Sequence, residues 1–327
     1  MIFEERVQQK EVVPVCFSTN NAYVPQMATA IQSIVENSTK DKLLKFYVLF
    51  TDISEQYINM LTDQVKVYEN ASVEFIDVSE YIERVTFCNS KICKELFYRF
   101  FIPYLLSDYE KIIYLDCDLV CIDDITKLIA IDLKDNMLGA MRDFFAINEG
   151  GWGVEHAKKL GLKIPSDYFN AGVLVFNTKN FGNNISEETL FDYCKTEYGF
   201  HDQDILNLVC EGKVHFLEAN WNALVDELPG KTQNALLKRY FQFVLDPSII
   251  HYTGDKPWKH FNITKRNIHF WIYASKTPFK DIIYANLKNA DIKEEAIYNE
   301  IKHGRYGLKF ILKCLSLYIC RVLRRKK

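Results

Sequence analysis

Two carboxylates close a short apolar run. KIIYLDCD sets Asp116 and Asp118 directly after residues 112–115. In an extended chain, side chains two apart face the same side, so the two acids converge on one point. Carboxylates that close repel unless a cation sits between them. Hard oxygen ligands suit Mg²⁺ or Mn²⁺, ions that commonly bridge to substrate phosphates. Asp-x-Asp alone is also an ordinary solvated strand-to-turn junction, and the apolar KIIYL ahead of it favours the metal. A second constellation, HYTGDKPW (251–258), follows Ile249 and Ile250. His251 can serve as a third ligand, and imidazole shifts the preference from Mg²⁺ towards Mn²⁺. Gly254 permits close backbone approach to a phosphate, and Lys256 offers a point charge for a diphosphate. A lone histidine is more often a packed or surface residue. The Gly, Lys, Pro and Trp around this one weigh against that.

These residues must be positioned by a scaffold, and the hydrophobic pattern predicts one. Apolar runs at 12–17, 45–50, 73–78 and 111–115 read as strands. Between them, 27–35 and the segment opened by Ser54 and Glu55 carry helical spacing. Residues 94–101 also read as a helix, disturbed at its end by Pro103. Strand and helix alternate, which predicts an α/β fold with a mostly parallel central sheet flanked by helices. Ligands in such sheets bind beyond the carboxyl ends of strands, where Asp116 and Asp118 fall. The second half is less regular. Strands are expected at 136–143, 168–178 and 249–252, helices at 186–197 and 202–210, and a helical, basic pattern beyond Pro257.

Composition narrows the classes. A chain of 327 residues, 48% hydrophobic and 25% charged, can bury a large core, which excludes a disordered protein or a disulfide-stapled mini-fold. The formal net charge of −3 carries no basic excess for coating nucleic acid. Aromatics reach 14%, enough for a core and a ring-lined site. The nine cysteines include no CxxC pair and lie partly in apolar runs, which suits a reducing cytosol. No GxGxxG or GxxxxGK[ST] occurs, which disfavours a dinucleotide site and a P-loop. MIFEERVQQKE lacks the apolar stretch of a signal peptide, and no segment has the roughly 20 apolar residues of a membrane span.

Taken in order, FSTNNAY, LFYRFFIPYLL, KIIYLDCD, LGAMRD, YFNAGVLVFN, HDQDILN and HYTGDKPW resemble the family 8 retaining glycosyltransferases, over about residues 12–262. That group includes bacterial lipopolysaccharide α-galactosyl- and α-glucosyltransferases and, more distantly, glycogenin. The resemblance implies a GT-A type nucleotide-sugar-binding fold over 12–262, followed by a helical extension at 263–304. It implies a UDP-hexose donor, UDP-glucose or UDP-galactose, and Mn²⁺, with Mg²⁺ as the alternative, on Asp116, Asp118 and His251. Lys256 and Gly254 match diphosphate contacts, Tyr23 the ring that stacks on uracil, Ser18 a position near the base, and Arg99 a helix arginine that reaches the donor. Without the family, Arg99 in LFYRFF reads as a charge snorkelling from an amphipathic helix. Asn170, Asp143, Asp202 and Gln203 match the pocket around the transferred sugar and the acceptor hydroxyl. For Asp202, a helix N-cap is the competing reading. Two departures stand out. Asn20 occupies a place where the family often has an aspartate, and the spacing between Gly254 and Lys256 is one residue shorter than in many members.

Family membership implies retention at the anomeric carbon. Gln203 matches the residue nearest that carbon, and an amide is a poor nucleophile, so a front-face displacement is expected. The implied acceptor is a glycan or glycolipid hydroxyl of a bacterial lipopolysaccharide or surface polysaccharide. Residues 305–327 hold eight Lys/Arg and no acid, which leaves residues 1–304 at −11. Apolar residues recur there at helical spacing, so the tail reads as a basic amphipathic helix for an anionic membrane surface. A cytoplasmic protein peripheral on the inner face of the cytoplasmic membrane is therefore expected. The competing readings are a glycogenin-like self-glucosylating protein and a catalytically silent sugar-nucleotide-binding module.

Overall fold

The computed structural model describes residues 10–148, 152–224, 233–244, 246–254, 256–259, 264 and 266–285. Residues 263, 265 and 286–304 of the expected extension, and all of the 305–327 tail, lie outside the described residues.

Four strands open the chain: β1 (Val12–Ser18), β2 (Leu43–Phe50), β3 (Ala71–Asp77) and β4 (Lys111–Leu115). All three pairings among them are parallel, with β1 between β2 and β4 and β3 outside β2. Val13, Val15, Cys16 and Phe17 of β1 are buried on both faces, the near-continuous apolar pattern of a central parallel strand. The helices Val24–Asn37 and Glu55–Lys66 supply the first two crossovers, and Ser54 caps the second by accepting from the Tyr57 N–H.

Beyond β4 the regular alternation ends. Strand β5 (Leu119–Cys121) leaves the main sheet, and β6 (Leu138–Arg142), β7 (Phe169–Asn177) and β8 (Val214–Phe216) complete it. The order is β3-β2-β1-β4-β7-β6-β8. Strand β7 runs antiparallel to both β4 and β6, and β8 is parallel to β6, so the sheet is mostly parallel with one reversed strand at its centre. Strand β9 (Ile249–His251) pairs antiparallel with β5 in a separate two-stranded ribbon.

The two faces carry separate cores. One packs the helix Val24–Asn37 against the sheet together with Trp271 of the helix Asn267–Ala274, Ile283 of the helix Lys280–Ala285 and Phe279 of the turn between them. Asn37 bonds the Tyr273 hydroxyl at 2.7 Å, which ties these late helices to the first one. The other core holds Phe97, Tyr98, Phe100 and Phe101 beside Phe176, Phe181 and Leu206, and it absorbs much of the aromatic content.

Two expectations change here. Residues 94–101 form a 3₁₀ helix, not an α-helix, followed by a short turn of α-helix at Ile102–Leu105. Pro103 has no N–H to give the Arg99 carbonyl, which accepts from Ile102 instead, an i→i+3 bond. Asp116 and Asp118 lie between β4 and β5 and not within a strand, so their convergence cannot come from the two-residue period. It comes from the turn and from what anchors it.

Candidate active site

Three backbone anchors set the turn. The Asp116 N–H donates to the Gly172 carbonyl of β7 at 2.8 Å, and the Tyr252 N–H donates to the Asp118 carbonyl at 2.9 Å. The β5–β9 register then sets His251 opposite Leu119, next to Asp118. His251 Nε2 lies 3.0 Å from Asp118 Oδ1 and 3.7 Å from Asp116 Oδ2. One ligand atom from each of Asp116, Asp118 and His251 falls within 4.8 Å of the others. Gly172 makes this possible, because a Cβ there would sit 2.2 Å from His251 Cε1 and 2.8 Å from Asp116 Oδ2. Two carboxylates and an imidazole fit the donor set of a Mn²⁺ or Mg²⁺ site, with Mn²⁺ favoured by the nitrogen.

Cationic side chains hold the acids in place. Lys256 ion-pairs with Asp118 and donates to the Tyr252 carbonyl. Burial pushes the Asp118 carboxyl up, but His251 and Lys256 outweigh it and hold the group well below the usual carboxylate range. Asp118 is therefore an anion across the working pH range. Arg99 does not snorkel. It is 3% exposed, with Nη1 donating to the Ala171 carbonyl at 2.6 Å and Nη2 to Asp116 Oδ1 at 3.0 Å. Its Nε lies 3.0 Å from Asp202 Oδ2, and the guanidinium stands 4.4 Å over the Tyr114 ring. Burial raises the Asp202 carboxyl to about 7 despite Arg99. Asp202 is also not a helix cap. The helix His201–Val209 begins one residue earlier, and Asp204 Oδ2 accepts from the Phe200 N–H at 2.9 Å. His201, at the head of this helix, takes a φ of +46°, a strained setting for the residue before Asp202 and Gln203.

Across Gly172 the polar groups are mostly amides. Gln203 Oε1 accepts from the Ala171 N–H at 3.0 Å, and its Nε2 donates to the Tyr168 hydroxyl at 3.0 Å. Tyr168 in turn donates to Asp204 Oδ1 at 2.6 Å, where His156 Nε2 also bonds at 2.8 Å. Asn170 Nδ2 reaches Asp143 Oδ2 at 3.4 Å, while Asp143 Oδ1 caps the helix Phe144–Ile147 by accepting from the Phe145 N–H. Burial raises the Asp143 carboxyl above its ordinary value. Asp143, Asn170, Asp202 and Gln203, the residues expected around the sugar, are thus brought together around the start of β7.

The first loop lies beside the turn. The Ser18 carbonyl accepts from Cys117 Sγ at 3.3 Å. Tyr23 is 39% exposed, and its ring meets Trp258 edge-on at 6.4 Å between centroids. Asn20 Nδ2 donates to Glu95 Oε1 at 2.8 Å, which sets a carboxylate of the 3₁₀ helix against the loop. Gly254 is exposed, and among the described residues nothing crowds a Cβ there.

Sequence reasoning passed over Gly172, Asn222, Tyr168 and a ring cluster. Phe145 stacks on Trp152 at 5.4 Å between centroids, and Trp152 meets Phe200 at 5.0 Å. Trp152, Phe200 and Phe145 are 53%, 38% and 37% exposed, beside Asp143 and Asp202 in sequence. Only the aromatic richness hinted at this surface. All seven described cysteines are free, Cys314 and Cys320 lying outside the described residues. No helix of the described residues is long and apolar enough to cross a membrane.

A mostly parallel sheet flanked by helices, with an acid pair beyond the end of a central strand, is the architecture of GT-A glycosyltransferases. The model of the glycosyl transferase family 8 matches residues 14–262, and the chain belongs to that family. It is 28% identical over 275 residues to glycosyltransferase GlyE of Streptococcus pneumoniae, covering 80% of this chain and 60% of GlyE. It therefore spans less than two thirds of that relative. With a lipopolysaccharide 1,2-glucosyltransferase of Escherichia coli it shares 25% identity over 315 residues, 94% of this chain and 89% of the relative. The crystal structure of galactosyltransferase LgtC with donor and acceptor sugar analogues superposes with a TM-score of 0.68 at 26% identity, covering 81% of this chain and 96% of LgtC.

Proposed function

We propose that this chain is a retaining hexosyltransferase. It moves glucose or galactose from a UDP-sugar to a hydroxyl of a glycan or glycolipid, in lipopolysaccharide or surface polysaccharide synthesis, and depends on Mn²⁺. The observation that carries this reading is the convergence of Asp116, Asp118 and His251 beside the pocket of Asp143, Asn170, Asp202 and Gln203, in a family 8 chain.

A divalent ion on Asp116, Asp118 and His251 would neutralise the diphosphate and stabilise the departing UDP. Lys256 exchanges Asp118 for the diphosphate as the donor binds. Tyr23 offers its open face to the uracil. Arg99 holds Asp116 and Asp202 at fixed separation, and Asn170 and Asp143 bind sugar hydroxyls. Gln203 is clamped by Ala171 and Tyr168, and so presents one N–H to the reacting centre. The acceptor hydroxyl attacks the anomeric carbon from the face that UDP leaves. The new C–O bond forms as the bond to the phosphate oxygen breaks, and that oxygen takes the hydroxyl proton. The rings of Phe145, Trp152 and Phe200 give the acceptor sugar a face to stack on.

The test is a panel of UDP-sugars with Mn²⁺, read as UDP release and as transfer. UDP-glucose or UDP-galactose is expected to turn over, and Asp118→Ala to lose about 10³-fold, the several kcal/mol that Lewis-acid stabilisation supplies. Turnover unchanged in Asp118→Ala would overturn the reading. A mass gain of the protein itself with UDP-glucose would point to self-glucosylation. The tail is assigned to an anionic membrane surface, and deletion of 305–327 should free the protein from lipid pellets while donor hydrolysis persists. A truncated chain that still pellets with lipid removes that assignment.

A further inference from the structure

A neutral imidazole carries one N–H and one lone pair, and the partner of one nitrogen decides the role of the other. For His251 that partner is Asn222, whose Oδ1 lies 2.8 Å from Nδ1. Which end of the Asn222 amide faces His251 is fixed from further away. The Gly172 N–H donates to Asn170 Oδ1 at 3.0 Å, which identifies that atom as the acceptor oxygen. Asn222 Nδ2 donates to the same oxygen at 2.9 Å. The Asn222 carbonyl oxygen is therefore the end turned to His251, and an oxygen there accepts. The proton must sit on Nδ1, which leaves Nε2 to give its lone pair to a cation beside Asp118 and Asp116.

The arrangement is closed to water. Asn222 is 0% exposed and His251 2%. Backbone bonds on either side hold the pair together: the Ala223 N–H donates to the Ile249 carbonyl at 3.0 Å, and the His251 N–H to the Ala223 carbonyl at 3.1 Å. A buried amide so confined cannot turn over without leaving several polar groups unpaired. Its other arm ends on Asn170, which bonds Asp143 in the sugar pocket.

We infer that Asn222 is a positioning residue that sets the His251 tautomer for cation binding and links the cation site to the sugar pocket. The inference rests on the reading of Asp116, Asp118 and His251 as a cation site. It makes the two arms of one amide separable by experiment. In Asn222→Asp the introduced carboxylate still accepts from His251 Nδ1–H, but it can no longer donate to Asn170. In Asn222→Leu both arms are lost at nearly constant volume.

The experiment titrates Mn²⁺ alone into the full chain, followed by the electron paramagnetic resonance signal of free Mn²⁺, and measures kcat and KM separately. Asn222→Leu is expected to weaken Mn²⁺ binding about 10- to 100-fold, the usual cost of losing the partner of a metal-bound histidine. Asn222→Asp should keep Mn²⁺ affinity close to the parent while kcat falls, because only the Asn170 arm is broken. Should Asn222→Leu fail to fold, Asn222→Asp decides alone. A folded Asn222→Asp that binds Mn²⁺ as poorly as His251→Ala overturns the inference, and so does a folded Asn222→Leu with parental Mn²⁺ affinity. Failure of the cation-site reading looks different: the parent and His251→Ala would then bind Mn²⁺ equally.

Discussion

On one side of Gly172 the polar groups are held by charge, and on the other by amides. Asp116, Asp118 and Asp202 are held by the ion pairs of Arg99 and Lys256, with His251 Nε2 beside Asp118. Asn170 and Asn222 bond each other, Gln203 bonds the backbone and Tyr168, and Asp143 and Asp204 are satisfied by N–H and O–H donors. A charged cluster can trade partners when a cation or a diphosphate arrives, because Coulomb attraction tolerates movement. An amide cluster has directional bonds and only one good arrangement. The first side suits a ligand that comes and goes, and the second suits a sugar read by the placement of its hydroxyls.

The contrast can be broken at its seam. Gly172→Ala drives a Cβ into His251 and Asp116, so it should strike both sides at once. Overpacking of this kind costs about 1–3 kcal/mol, and Mn²⁺ affinity should fall at least about tenfold; thermal unfolding and Mn²⁺ titration read the two effects. Parental Mn²⁺ affinity in a folded Gly172→Ala would mean that the ligands are not confined as described. Gln203→Ala touches only the amide side. It should reduce kcat by about 10²-fold, the cost of one well-placed donor, with Mn²⁺ affinity unchanged and no sugar attached to the protein. A sugar-bearing peptide containing Gln203 or Asp202 in mass spectrometry would sink the front-face mechanism.

Trp152→Ala probes the exposed rings. Losing one aromatic contact of about 1 kcal/mol should raise the acceptor KM a few-fold and leave donor hydrolysis alone. Equal changes in both would place Trp152 outside the acceptor path. The smallest effect concerns pH. The Asp202 carboxyl ionises near 7 in the folded chain and near the ordinary carboxylate value when unfolded. Between those values the folded state binds more protons, so this group makes stability fall as pH rises from about 4 to 7. Asp202→Asn should flatten that slope in urea melts, and an unchanged slope would remove Asp202 as its source.

The first half of the fold could be read from the chain because local pattern and tertiary role agree there. Ser54 caps the helix it was expected to open, and β4 spans the same five residues as its apolar run. The reversal of β7 could not be read, since a buried strand is apolar whichever way it runs. For the site, the charged side was legible because Asp116, Asp118 and His251 stand in short motifs. The route to their convergence was not, because the turn and the β5–β9 ribbon are set by pairing across more than a hundred residues. Asn222 was invisible, its role depending on which way a neighbouring amide faces. Arg99 could not be placed from its own helix, because the partners that bury it come from β7, the Asp116 turn and the helix His201–Val209.

The ribbon that sets His251 opposite Leu119 also fixes when the site can exist. Strand β9 can pair only after the whole intervening chain has been made and folded. During synthesis the acid pair would be in place well before its histidine, Lys256 or Asn222. Long-range pairings of this kind form late and slowly. A nascent or C-terminally clipped chain would therefore hold the acids without the imidazole, and could not take up the cation in the geometry of the finished site. The last described strand acts as a completeness check: the cluster of Asp116, Asp118 and His251 closes only once residues 119–121 and 249–251 have paired.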